Sequence, residues 1–282
     1  MLQKRFAYSA ATWKPCHFAG RSGSNMRLCP PKGPGLFLRS LHGKDPTEYG
    51  MKLVVSGFCW AIIGGPWHGR RGRIWVNSPD TIRKWTIELT RLGLKVYVWG
   101  YPDCDQTEAF IGDIQQCLMP LTRGVVLDPE LEEKVPGKRD RNSLLTIIES
   151  IWDYANIQGW DGFPVALSSW GDPRPHRDFP WEVVQCCDWI IPQLYLETSR
   201  EHSIQLEDIW LERAGMTREC LVPGAGSYKT IIVEGKRTNP SKSRAEFSAH
   251  YDALGRPATF AIWSDLSMTD ELFSAVRNLT GW

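Results

Sequence analysis

Eight short apolar runs recur along this chain, and each is followed by an amphipathic stretch of helical length. The runs fall at 36–41, 58–63, 95–101, 124–130, 164–169, 189–196, 220–224 and 259–266. The stretches that follow them, at 46–56, 79–92, 108–119, 143–157, 181–187, 204–214, 244–254 and 270–279, carry apolar residues at helical spacing. Ser78-Pro79-Asp80, Asn142-Ser143 and Thr269-Asp270-Glu271 are helix-start signals, and Gly93, Gly159 and Gly255 stand where helices should stop. Strict strand–helix alternation implies a parallel sheet with right-handed crossovers. Near-continuous apolar strands such as Val125-Val126-Leu127 and Trp189-Ile190-Ile191 suit strands covered on both faces. Eight such units over residues 35–282 match a (β/α)8 barrel, typically about 250 residues long. An open doubly wound sheet is the alternative, disfavoured because no glycine-rich dinucleotide fingerprint follows the first strand. The expectation is one α/β barrel over 35–282, preceded by an extension at 1–34.

Composition excludes several classes. Hydrophobic residues make up 42% of the chain, far too many for a disordered one. No run approaches the roughly 20 apolar residues that a membrane helix requires. No apolar segment near Met1 suggests a secretory signal. The eight cysteines form no C-x-x-C pair and read as free, buried thiols of a reducing compartment. The six histidines are scattered, without H-E-x-x-H, so no metal is expected. Phosphate-binding and nucleophile-elbow motifs are also missing from the sequence, and no cofactor is expected.

Charge is uneven. Residues 1–34 hold six of the 33 basic residues and no acid, which leaves 27 basic against 32 acidic residues in the remainder. This Ser-, Gly- and Pro-rich arm reads as poorly ordered. It is a solvated tail, an anchor to an acidic partner, nucleic acid or larger assembly, or an organellar targeting peptide. A cytoplasmic or virion-associated location follows as the expectation.

Barrel sites lie at the C-terminal ends of the strands. The fourth run ends in Leu127-Asp128-Pro129-Glu130. Positions two apart share a strand face, which would set the Asp128 and Glu130 Cα atoms about 6.6 Å apart at the barrel mouth. Two converging carboxylates repel, so one stays protonated as an acid while the other remains charged. Glycoside cleavage needs such a pair, an acid for the leaving oxygen and an anion near the developing oxocarbenium. Trp99, Trp170, Tyr195 and Trp263, four of the aromatic residues in a chain with 14 Trp, come from four different strand ends. Their flat rings suit sugar faces. Gln193 is placed to hydrogen-bond a substrate hydroxyl or one of the two carboxylates, and Asp265 is a further substrate-binding candidate.

The Leu-Asp-x-Glu end of strand 4, Pro192-Gln193-x-Tyr195 on strand 6 and Trp263 closing strand 8 resemble glycoside hydrolase families 25 and 18, the lysozyme-like muramidases and the chitinases. The resemblance implies that Glu130 is the acid/base and Asp128 the carboxylate that stabilises the intermediate. It also implies that Tyr195 is the strand-6 tyrosine and Trp263 the floor of the sugar subsite. The chain departs from both patterns. Family 25 carries an Asp at the end of strand 1, where Arg39 and His42 stand here. Family 18 carries D-x-x-D-x-D-x-E, and its two earlier acids fall on Arg123 and Val126 here.

The basic segments 68–73 and 229–244 read as loops on the active face, either solvated or holding an anionic substrate. They lack interleaved aromatics, so a nucleic-acid site on the barrel is not expected. Two functions follow. One is a hydrolase of a β-linked amino-sugar polymer such as peptidoglycan or chitin. The other is a non-catalytic barrel serving as a structural or binding component of a larger assembly such as a viral particle.

Overall fold

The computed structural model describes residues 27–69, 72–130, 141–176, 179–197, 199–233 and 236–280. Most of the expected basic arm, residues 1–26, lies outside them. Strand β1 (Gly33–Leu38) leads into α1 (Pro46–Val55), and β2 (Trp60–Gly69) turns back into β3 (Gly72–Trp75) before α2 (Pro79–Arg91). Then follow β4 (Lys95–Tyr101), α3 (Thr107–Cys117), β5 (Thr122–Leu127), α4 (Arg141–Ile157), β6 (Val165–Trp170), the one-turn α5 (Trp181–Val184) and β7 (Ile190–Gln193). The last third holds α6 (Arg200–Ala214), β8 (Gly224–Gly226), β9 (Ile231–Val233), β10 (Lys236–Thr238), α7 (Arg244–Ala253), β11 (Thr259–Trp263) and α8 (Asp270–Thr280).

Eight parallel strands run side by side in the order β7, β6, β5, β4, β2, β1, β11, β8. The ring closes through one bridge between Ile190 and Leu221 and the Val222 N–H donating to the Ile190 carbonyl at 2.8 Å. The expected (β/α)8 barrel is therefore present. Its first strand begins at Gly33, and residues just before it already touch the barrel. Leu28 N–H donates to Asp188 Oδ1 at 2.9 Å.

Local chemistry explains the helix starts. Asp45 caps α1 by accepting from Thr47 N and Glu48 N, with Pro46 at the first position. Ser243 and Glu246 satisfy each other's backbone amides at the start of α7, a capping box.

Aromatic residues fill the lower barrel. Trp60 on β2, Tyr97 on β4 and Trp189 before β7 meet edge to face at 5.6–6.1 Å, although their strands are not all neighbours. Such pairs contribute about 0.5–1.5 kcal/mol each beyond burial. Gly35 makes room for this plug, since a Cβ there would lie 2.3 Å from the Trp60 indole.

Several expected boundaries move. The run 58–63 is the start of a longer β2, so His68 and Gly69 pair with Arg73 and Gly72 of β3 rather than lying in a simple loop, and Arg70 and Arg71 lie outside the described residues. Residues 218–220 form a 3-10 turn and the strand follows at Gly224–Gly226, because Pro223 cannot donate to a ladder. Strands 189–196 and 259–266 shorten to Ile190–Gln193 and Thr259–Trp263, which leaves Tyr195 and Asp265 on the connections that follow. Within 229–244, β9 and β10 pair antiparallel apart from the barrel.

Candidate active site

A cleft of about 540 Å³ opens at the C-terminal ends of the strands, with Asp128 and Glu130 in its wall. Both residues lie just past the end of β5, not on it. Glu130 N–H donates to the Asp128 carbonyl at 2.9 Å, a tight turn around Pro129. The straight-strand spacing expected from the sequence is therefore replaced by a turn, yet both carboxyl groups still reach the cleft. The Tyr101 hydroxyl donates to the Glu130 carbonyl and steadies that turn.

Asp128 is 3% exposed. Trp99 Nε1 donates to its Oδ2 at 3.2 Å, and Gln193 Nε2 donates to its Oδ1 at 3.0 Å. Burial, followed by the charge of Glu130, pushes Asp128 well above the ordinary carboxylate range, while Trp99 and Arg39 oppose the rise. Burial also pushes Glu130 up, against the pull of the nearby Gln193 amide. The two groups titrate as a pair, and raised values favour one retained proton. Two donors aimed at Asp128 favour its anion.

Tyr195 lies over the same pair. Its ring stacks on Trp263 at 6.0 Å and 15°. Its buried hydroxyl has no hydrogen-bond partner among the described residues. Burial and both carboxylates push the phenol upward, so it remains a proton donor. Trp99 meets Trp263 at 5.6 Å, and Trp170 lies flat on His176 at 3.6 Å.

Of the residues singled out from sequence, Asp128, Glu130, Tyr195, Trp99, Trp170, Gln193 and Trp263 all line this one cleft. Asp265 does not. Its buried carboxylate accepts from Arg39 N at 2.6 Å, from Ser40 N and from Lys44 Nζ at 2.6 Å, and so clamps the β1 connection. The cleft also takes in Trp67, Tyr101 and Tyr228, which the sequence did not single out as site residues. Tyr101 could have been found, because it shares the inward face of β4 with Trp99. Trp67 could not be found by alternation, because the ladder between β2 and β4 shifts between Gly64 and Trp67. The farther end of the cleft holds Glu197 paired with His202 at 2.9 Å and Asp172 paired with Arg174.

A second cavity, about 410 Å³, lies behind Leu196 and Glu197. Lys242 and His250 line it, and both are buried. Lys242 Nζ donates to the Tyr195 carbonyl at 3.0 Å and to His250 Nδ1, and His250 Nε2 donates to the Leu194 carbonyl at 2.7 Å. The segment carrying Tyr195 is thus held from beneath. Among the described residues, no group of three or more His, Cys, Asp or Glu is placed to hold a metal ion. No helix among them is long and apolar enough to cross a membrane.

The sequence matches no known family profile, and no curated protein is similar to it in sequence. Solved structures do share its fold. The chain matches a GH113 β-1,4-mannanase with a TM-score of 0.62 and 13% identity, covering 90% of this chain and 98% of that one. It matches the spore cortex-lytic enzyme SleL of Bacillus cereus at 0.60 and 10%, covering 88% and 74%. It matches a chitinase of Rhizomucor miehei at 0.60 and 10%, covering 88% and 100%. These solved structures share the (β/α)8 barrel fold of this chain. At these identities the likeness is one of fold, and it extends to chitinase-like and mannanase barrels.

Proposed function

We propose that this protein is a glycoside hydrolase that cleaves a β-linked, amino-sugar polymer of the peptidoglycan or chitin type. The reading rests on one observation: Asp128 and Glu130 share an open cleft whose walls are aromatic. Glu130, the more exposed of the two, gives its proton to the glycosidic oxygen as the bond to the anomeric carbon breaks, and the leaving sugar departs as an alcohol. The positive charge left on the sugar ring faces the Asp128 anion. The Tyr195 hydroxyl donates to an acceptor on the sugar at the cleavage point, such as an acetamido oxygen. Water then adds to the anomeric carbon and returns a proton to Glu130. Trp263 and Trp99 hold the sugar faces and exclude water. The chitinase and the cortex-lytic enzyme among the structural neighbours support the choice of polymer.

Turnover of purified peptidoglycan, chitin and mannan by the wild type and by Glu130→Gln tests this reading. Release of reducing ends from an amino-sugar polymer by the wild type, and its loss in the variant, is the expected result. A folded wild-type protein that releases none from any of the three contradicts it. A second reading, a non-catalytic barrel that binds glycan or serves in a larger assembly, is favoured by Arg123 and Val126. They stand where the family 18 pattern places two further acids. That reading predicts glycan binding without cleavage, or neither.

A further inference from the structure

Arg39 brings a guanidinium into the wall of the cleft. Among the described residues it is the one lysine or arginine lining this cleft. The cleft's other acids have partners of their own, Glu197 with His202 at 2.9 Å and Asp172 with Arg174. Arg39 has no ion pair among the described residues, and its buried Nε has no hydrogen-bond partner there. Its guanidinium is held instead between two indoles, at 5.5 Å from the Trp67 ring and 5.2 Å from the Trp263 ring. These contacts fix the plane of the fork but satisfy none of its N–H donors.

The main chain is fixed as firmly. Arg39 N–H donates to Asp265, and the side chain of Asn77, which also donates to the Gly64 carbonyl, lies against the Leu41 amide. Trp263 is the ring that stacks on Tyr195. The guanidinium therefore stands beside the ring that floors the sugar subsite, within electrostatic reach of Asp128 but not bonded to it. A rigid, planar donor fork without an acceptor suits a carboxylate, which can take two parallel N–H···O bonds.

We infer that Arg39 is a specificity residue that binds a carboxylate substituent on the sugar lying against Trp263. The preferred substrate is thus an acidic amino-sugar polymer, such as one bearing lactyl ether groups, rather than a neutral one. The inference rests on the cleft being a glycan site, as proposed above, but not on its cleaving the glycan.

The test is equilibrium binding, by calorimetry, of two tetrasaccharides to the full-length Glu130→Gln protein. One carries N-acetylmuramic acid residues with free carboxylates, and the other contains N-acetylglucosamine alone. The acidic sugar should bind at least tenfold tighter at low salt, and the ratio should collapse in Glu130→Gln carrying Arg39→Met. Near-ultraviolet circular dichroism of the double variant establishes that the tryptophan cluster is intact. Equal binding of the two sugars, or a preference that survives Arg39→Met, overturns the inference even if the wild type cleaves glycans. Failure of both sugars to bind overturns the inference and removes the glycan cleft as well. Acid preference in binding with no turnover by the wild type upholds the inference and contradicts the hydrolase reading alone.

Discussion

The indole N–H of Trp99 donates to Oδ2 of Asp128 across 3.2 Å, which ties the deepest carboxylate of the cleft to an aromatic ring on the neighbouring strand. Hydrogen bonds to charged groups contribute roughly 1.5–3 kcal/mol. Trp99→Phe keeps the ring and removes the donor. It should lower kcat/KM by about tenfold or more. It should also move the acidic limb of the pH–rate profile upward, because the Asp128 anion loses a partner. An unchanged profile would show that Trp99 acts by packing alone.

The buried pair beneath Tyr195 makes stability depend on pH. Burial first, and then the neighbouring Lys242, lower His250 to about 3 from 6.5. Burial likewise lowers Lys242 to about 7 from 10.5, against the charge of Glu246 one turn away on α7. His250 is neutral in the folded protein at pH 5, while the unfolded chain takes up a proton there. Its contribution is complete above about pH 6.5 and is lost as the pH falls towards 3, on the order of a few kcal/mol. Lys242 adds stability as the pH rises from about 7 to 10.5, since the unfolded chain holds the extra proton in that window. Urea midpoints of wild type and His250→Gln at pH 7 and 4.5 check the first claim. The variant should lose less stability between the two values than the wild type does.

Asp265 illustrates a role that sequence position disguised. At the end of the last strand it reads as a substrate contact, but its carboxylate is engaged by the amides of Arg39 and Ser40 and by Lys44. Asp265→Asn exchanges an anion for a neutral amide that also brings N–H groups into a site full of donors. A loss of about 1–3 kcal/mol is expected on thermal unfolding. KM should rise more than kcat falls, because Arg39 is released. A loss of kcat with unaltered stability would place Asp265 in the chemistry instead.

The barrel itself was legible because its signals are local and repeated: eight apolar runs, cap residues and stop glycines. The Asp128, Glu130, Gln193 and Tyr195 set was legible because strand ends deliver it. What the sequence hid lies where strands stop being regular. The tight turn at Pro129 breaks the period-two reading of the two carboxylates. The shift in β2 carries Trp67 into the cleft against simple alternation. The pairings of Asp265 and of Lys242 with His250 join residues from different units, and no local pattern marks them.

The same irregularity is open to test. A Cβ on Gly65 would lie 2.9 Å from the Trp99 carbonyl oxygen and 3.1 Å from Val98 Cγ1. Backbone cannot yield cheaply, so Gly65→Ala should cost about 1–3 kcal/mol by forcing β2 from β4. Binding of any glycan should weaken as Trp67 shifts. A variant that melts with the wild type would show that the strands adjust freely.

The central claim is that Glu130 donates the proton and Asp128 supplies the charge. It is tested most directly by kcat/KM for a natural polymer fragment and for an aryl glycoside whose leaving group needs no proton. The account predicts that Glu130→Gln abolishes cleavage of the polymer fragment yet largely spares the aryl glycoside, whereas Asp128→Asn damages both. Equal cleavage of the polymer fragment by Glu130→Gln and wild type would contradict it.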